Sequence, residues 1–310
     1  MKLSRASEDP AKVDNVGSSI AAHRIALLYA LRHRRLPDLL NPTRFTELVQ
    51  LRKLNDRSPL QTTLLDKLEA KRLASEQLGA NWIVPTLWQG QMLPRFIPFA
   101  LPSIVKARHG CNQYQILETF PDCERWKQVQ RAARRWQRRE YGRWLDEWAY
   151  RKVPRGVFAE PLLGGARPLP IDYKIYVFGG VATHVQVHLG RGVRHRWILH
   201  DRNWRQLVPA ADRPSRPSSL GAMLQAAETL AGNLAFVRVD FTKSTANRFS
   251  ASFAFIPALA SILLQPTGST SSWEGFGKMR WRDPVPQRQV RRTQSTRGPL
   301  GMILSRFDST

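Results

Sequence analysis

Cysteine is nearly missing from this sequence. Cys111 and Cys123 are the only two in 310 residues, too few for a disulfide framework and too few for a zinc site without other ligands. Long apolar runs are missing too: no stretch reaches the roughly 18 residues of a membrane-crossing helix, and mean hydropathy is -0.38. The first twenty residues carry no apolar h-region, so no secretory signal is expected and the expected location is cytoplasmic. Acidic residues are scarce, 24 Asp+Glu against 48 Lys+Arg, which gives a formal charge of +24. Ready-made catalytic signatures are absent: there is no HExxH, no Walker loop, no Ser-His-Asp order and no nucleic-acid motif of known spacing. Apolar residues, in contrast, make up 42% of the chain, which excludes a wholly disordered protein.

The positive charge is spread widely. Residues 242–310 hold 10 Lys+Arg and 3 Asp+Glu, so the first 241 residues carry 17 of the 24 net charges. The densest run, residues 131–143 (RAARRWQRREYGR), reads as helical, with Trp136 among its arginines. Such a helix could lie on an anionic polymer or surface, but arginine-rich helix faces are usually just solvated, and nucleic acid is not an expected partner.

Helical periodicity runs over residues 20–35, 43–54 and 64–78, the last stopped by Gly79, and over a long stretch from 123 to about 149. Short strands are expected at 83–85 and 102–107. After Pro154 the period becomes that of strands, at 156–163, 173–178, 182–189 and 196–201, with Gly179-Gly180 as a hairpin turn. A helix at 220–230 and a strand at 235–241 (AFVRVDF) follow. Largely antiparallel strands mixed with helices predict an α+β (α/β) chain of two lobes. The expected organisation is a helical extension over 1–40, a main region over 41–241, and a different, polar and basic segment over 242–310.

Three features suit phosphate chemistry. Lys106 follows a strand and precedes a small polar loop. Glu160 ends a strand (VFAEPLL), and Asp172-Tyr173-Lys174 opens another. Arg238 and Asp240 fall on one side of a strand by period two. A carboxylate beside an arginine can hold a cation while the guanidinium meets oxygens on which charge develops. Taken alone, such a pair at a strand end more often makes a surface ion pair.

Together, the blocks FTELVQLRKLNDRSPL, LLDKLEAKRLASEQLG, IVPTLW, IVKARHGCN, FAEPLL, DYKIYVFGG, VQVHLGR, HDRNWRQL and FVRVDF, in this order over residues 41–241, resemble the TupA-like ATP-grasp family of polysaccharide and cell-envelope biosynthesis. The resemblance implies an ATP-grasp fold, with ATP held between two α+β lobes and a carboxylate activated through an acyl-phosphate for attack by an amine or similar nucleophile. It implies ATP and Mg2+ as cofactors, and an unknown carboxylate, amine or saccharide acceptor as partner. By this analogy Lys106 and Lys174 contact phosphates, and Glu160 lies at the hinge beside adenine and ribose. His109 and Gly110 belong to the loop over the phosphates, a loop less glycine-rich here than in much of the family. The VRVDF block also resembles the matching stretch of D-alanine–D-alanine ligase, which makes Arg238 the stabiliser of the transferring phosphoryl group and Asp240 a magnesium ligand. The alternatives are a glycosyltransferase-type enzyme, for which no DxD-like motif occurs between residues 41 and 241, and a basic module that binds anionic polymer.

After FVRVDF the family continues with a hairpin Y-x-x-x-G-x-x-x-x-G-E, whose glutamate is the second metal ligand. Here no glutamate lies between Phe241 and Glu274. Back-translated and read one base earlier, residues from Thr242 on can give YEVDGKPVLGEL, CLYPGSG and LDPFAADWIDFELG, the family's missing continuation. The expectation is a frameshift near Thr242 that leaves the C-terminal lobe incomplete, so that the chain as written can be inactive, and leaves the apolar run at 252–264 unprotected.

Overall fold

A computed structural model describes residues 20–164, 169–243 and 249–254. In chain order the elements are α1 (Ile20–His33), α2 (Phe45–Asn55), α3 (Pro59–Leu65), α4 (Lys67–Leu78), β1 (Trp88–Gly90), β2 (Ser103–Ala107), β3 (Tyr114–Leu117), α5 (Cys123–Arg138), β4 (Val157–Pro161), β5 (Asp172–Phe178), β6 (Val181–Leu189), β7 (Arg196–Asp201), α6 (Leu220–Ala231), β8 (Phe236–Lys243) and β9 (Phe249–Ala254). They build two antiparallel sheets, one of four strands in the order β1-β4-β2-β3 and one of five in the order β7-β6-β5-β8-β9.

Local chemistry sets the helix ends. Ser58 accepts from the Leu60 N–H at the start of α3, with Pro59 at the first helical position. Asp66 does the same for Leu68 and Glu69 at the start of α4, and Asp122 for Arg125 at the start of α5. Gly79, at φ 91°, ends α4 where a Cβ would be strained. The single helix expected over 64–78 is therefore two, broken at Asp66. The long helix expected from 123 stops at Arg138, and short 3-10 turns occupy Arg143–Leu145 and Trp148–Lys152. No strand forms at 83–85; the chain pairs a few residues later, as β1.

The five-stranded sheet has two unlike faces. On one, Ile175, Val177, Val185, Val187, Val237, Val239 and Phe241 join Leu220, Met223, Ala227 and Leu230 of α6 in the larger core. On the other, Asp172, Lys174 and Tyr176 of β5 stand opposite Thr242, Asp240 and Arg238 of β8, and opposite His188, Gln186 and His184 of β6. At the far end of this second face Phe45 of α2 packs edge-on against Tyr176, Phe178 and Phe236, with centroids 5.2–6.2 Å apart. The β5–β6 turn places Gly179 and Gly180 at φ 54° and 81°, the positive pair that a tight hairpin needs.

In the four-stranded sheet, Val105, Val157 and Ala159 pack on Trp126, Val129 and Ala133 of α5 to form a smaller core. Alternation turns Lys106 and Glu160 to the opposite face. Beyond Phe241 the backbone of β8 continues to Lys243 and pairs with β9. Most of the run at 252–264 lies outside the described residues, and no described helix is long and apolar enough to cross a membrane.

Candidate functional site

Two charged clusters rise from the polar faces of the two sheets. In the four-stranded sheet, Glu160 of β4 is 5% exposed. Its Oε1 accepts from Lys71 Nζ of α4 at 2.6 Å, and its Oε2 accepts from Lys106 Nζ of β2. Burial alone would push this carboxyl up; the Lys106 and Lys71 ammoniums outweigh it and hold the group below its ordinary value. Lys71 also reaches the Thr86 hydroxyl at 2.8 Å. Lys106 and Glu160, singled out separately in the sequence, therefore form one unit. Lys71 was missed because nothing in the helical run of α4 points across to β4.

The loop after β2 is pinned from below. Lys67 Nζ donates to the carbonyls of Ala107, at 2.7 Å, and Gly110. His109 is buried at 3% exposure. Its Nε2 sits 3.0 Å from the Trp136 carbonyl, while Nδ1 accepts from the Gly156 N–H at 3.4 Å. Burial lowers the affinity of this imidazole for a proton, so both nitrogens serve the backbone of the neutral ring. The structure thus places His109 as an anchor of the loop, and Gly110 presents its carbonyl to Lys67.

The second cluster lies on the polar face of the five-stranded sheet. Arg238 Nε and Nη2 donate to the two oxygens of Asp240 at 2.6 and 2.8 Å. Lys174 Nζ bridges Asp240 Oδ2 at 2.8 Å and Asp172 Oδ2 at 2.7 Å. Arg191 approaches Asp172 at 3.6 Å, and the Thr242 hydroxyl donates to it at 3.3 Å. Arg238, Asp240 and Asp172 are exposed by only 3%, 8% and 5%. Taken alone such a pair more often lies on the surface; here β8 is an interior strand between β5 and β9, and both side chains are buried. Burial acts to lower the Arg238 value, but Asp240 outweighs it and the guanidinium stays firmly charged. Asp172 is held well below the usual carboxylate range, because Lys174 and Arg191 overcome its burial.

The family model for TupA-like ATP-grasp proteins matches residues 47–261. The chain belongs to the TupA-like ATP-grasp family. No curated protein matches it. Similar solved structures include the D-alanine–D-alanine ligase from Coxiella burnetii, 14% identical over 71% of this chain and 58% of that one, with a TM-score of 0.41. Others are the L-amino acid ligase from Bacillus licheniformis, at 12%, 66%, 44% and 0.39, and the ATP-grasp ligase PsnB complexed with minimal precursor, at 10%, 66%, 56% and 0.36. The chain thus spans roughly half the length of these structures, from 44% to 58%. The ATP-grasp match runs to residue 261, past Phe241.

The side chains of this ATP-grasp chain fit a nucleotide. Among the described residues, Lys174, Arg191 and Arg238 face Asp172 and Asp240, one positive charge in surplus. In the same face the buried Nε2 of His188 has no partner. For a metal the donor set is thin: among the described residues no three His, Cys, Asp or Glu side chains converge. Asp240 accepts three hydrogen bonds where a carboxylate offers about four positions. Among the described residues one position of this carboxylate remains, where a Mg2+ ion, which takes one or two carboxylates and completes its shell with water and phosphate oxygens, would be held.

Proposed function

We propose that this chain is an ATP-dependent ligase-like protein of cell-envelope or polysaccharide biosynthesis, built to activate a carboxylate through an acyl-phosphate. The observation that supports this most is the largely buried Arg238–Asp240–Lys174–Asp172 network with its cationic surplus. Phosphoryl transfer asks a protein mainly for positioning and for neutralising charge. Lys106 and Lys174 bind phosphate oxygens, exchanging Glu160 and the two aspartates for the ligand's negative charge. Glu160, still held by Lys71, lies beside the adenine and ribose, and the loop at His109-Gly110 borders the phosphates, held by Lys67. Arg238, locked by two hydrogen bonds to Asp240, presents its remaining N–H groups to the transferring group. Asp240 supplies the carboxylate oxygen for Mg2+, which when bound neutralises charge on the phosphates.

On this reading the second metal carboxylate belongs to the other reading frame, and the gene is shifted near Thr242. The test is turnover with hydroxylamine as a general nucleophile and a panel of carboxylic acids. It uses the chain as written and a chain whose residues from 242 on follow the other frame. Magnesium-dependent release of ADP with formation of a hydroxamate, at least in the frame-restored chain, is expected. Release of AMP, or no turnover in either chain, contradicts the proposal.

A further inference from the structure

His188 lies on β6 directly opposite Asp172 of β5, on the polar face described above. Its ring is 5% exposed and stacks on that of His195, with centroids 5.0 Å apart. Its Nδ1 stands 2.8 Å from His195 Nε2, while its own Nε2 is buried and meets no hydrogen-bonding atom among the described residues. A buried polar nitrogen left without a partner is destabilising, and an incoming ligand atom would satisfy it.

The groups facing His188 decide which kind. Lys174 and Asp172 face it from β5, Arg238 from β8 and His195 from the turn before β7, and Arg191 approaches Asp172 beside it. Burial first, then Lys174, hold the ring neutral, with Asp172 opposing. A neutral ring carries one N–H. The surrounding surplus of positive charge attracts an anion, and an anionic oxygen needs a donor. Nδ1 must then be the acceptor, served by the Nε2–H of His195, which leaves the His188 proton on Nε2.

We propose that His188 Nε2–H donates to an anionic phosphate oxygen of the bound nucleotide, and that His195 is the positioning residue that fixes this tautomer. The inference rests on the nucleotide reading above. Lys174, which now bridges the two aspartates, is drawn toward the same phosphates as they enter.

The probe is the full chain labelled with 15N at histidine, titrated with Mg-ADP and with a Mg-bound non-hydrolysable ATP analogue. The 15N–1H correlations should show His188 as the Nε2–H tautomer, and its resonances should move on saturation with nucleotide. His195→Phe should mix the tautomer. His188→Phe should weaken nucleotide binding about ten- to a hundredfold, the range for a hydrogen bond to a charged group. His188→Gln, which keeps an N–H donor, should retain most of the affinity; thermal melts of each variant report folding. Unmoved His188 resonances, or His188→Phe binding as tightly as wild type while Lys106→Ala does not, overturns the proposal and leaves the nucleotide reading intact. If wild type binds no nucleotide, the nucleotide reading itself fails and this inference falls with it.

Discussion

Glu147 is the residue least at ease in this fold. It is 3% exposed, both carboxylate oxygens lack hydrogen-bond partners, and burial raises its value to about 8, with the Lys53 ammonium opposing only in part. A carboxylic acid with a folded value above its unfolded 4.5 favours folding least at high pH. Below pH 4.5 both states keep the proton and nothing is lost. From there to about pH 8 the unfolded chain ionises freely while the folded chain does not, and stability falls. Glu147→Gln should therefore leave stability at pH 4 unchanged and raise it at pH 8 by roughly 2–4 kcal/mol, at about 1.4 kcal/mol per unit of difference. Urea unfolding at the two pH values measures this. Arg238 and Asp240 are the opposite case, buried but paired with each other. Asp240→Ala strands a buried guanidinium and should destabilise the chain by about 3–5 kcal/mol in the same assay. Their partnership was legible in the sequence, since period two puts residues i and i+2 on one side. Their burial was not, because it depends on β5 and β9 lying to either side of β8.

At the scale of elements, α2 and α4 are joined to the sheets by a few side chains. Phe45 anchors α2 among Tyr176, Phe178 and Phe236, so Phe45→Ala should destabilise by about 3–5 kcal/mol, read from the shift in denaturation midpoint. Asp66 has two tasks. It caps α4, and it takes both Arg108 Nε, at 2.6 Å, and Nη2. Asp66→Asn keeps the cap and loses the ion pair, whereas Asp66→Ala loses both and should be worse by about 1 kcal/mol, the usual worth of a cap. This double role explains why one helix was expected where two exist: LLDKLEAK is helical throughout by pattern, and the break is set by Arg108, 42 residues away. Strand boundaries after Pro154 followed the alternation closely, since β5, β6 and β8 turn apolar residues to the core and mostly polar ones to the other face. Strands β1 and β3, of three and four residues, were too short to show a period, and β3 sits at a sheet edge.

For the whole molecule, the ordered blocks carried more than any composition figure. A charge of +24 says little about a site whose work is done by a handful of enclosed lysines, arginines and aspartates. Lys106 and Glu160 could be named from strand ends, and Arg238 with Asp240 from alternation. Lys71 enters its cluster through a contact 89 residues away, and Arg191, His188 and His195 enter theirs through the β5–β6 pairing and the loop that follows it. The most direct test of the account is calorimetric titration of Mg-ADP into the chain as written, into the frame-restored chain, and into Lys106→Ala of each. The account predicts binding that requires magnesium, is tighter in the frame-restored chain, and weakens at least tenfold when Lys106 is removed. Absence of nucleotide binding in both frames, or binding indifferent to Lys106, would contradict it.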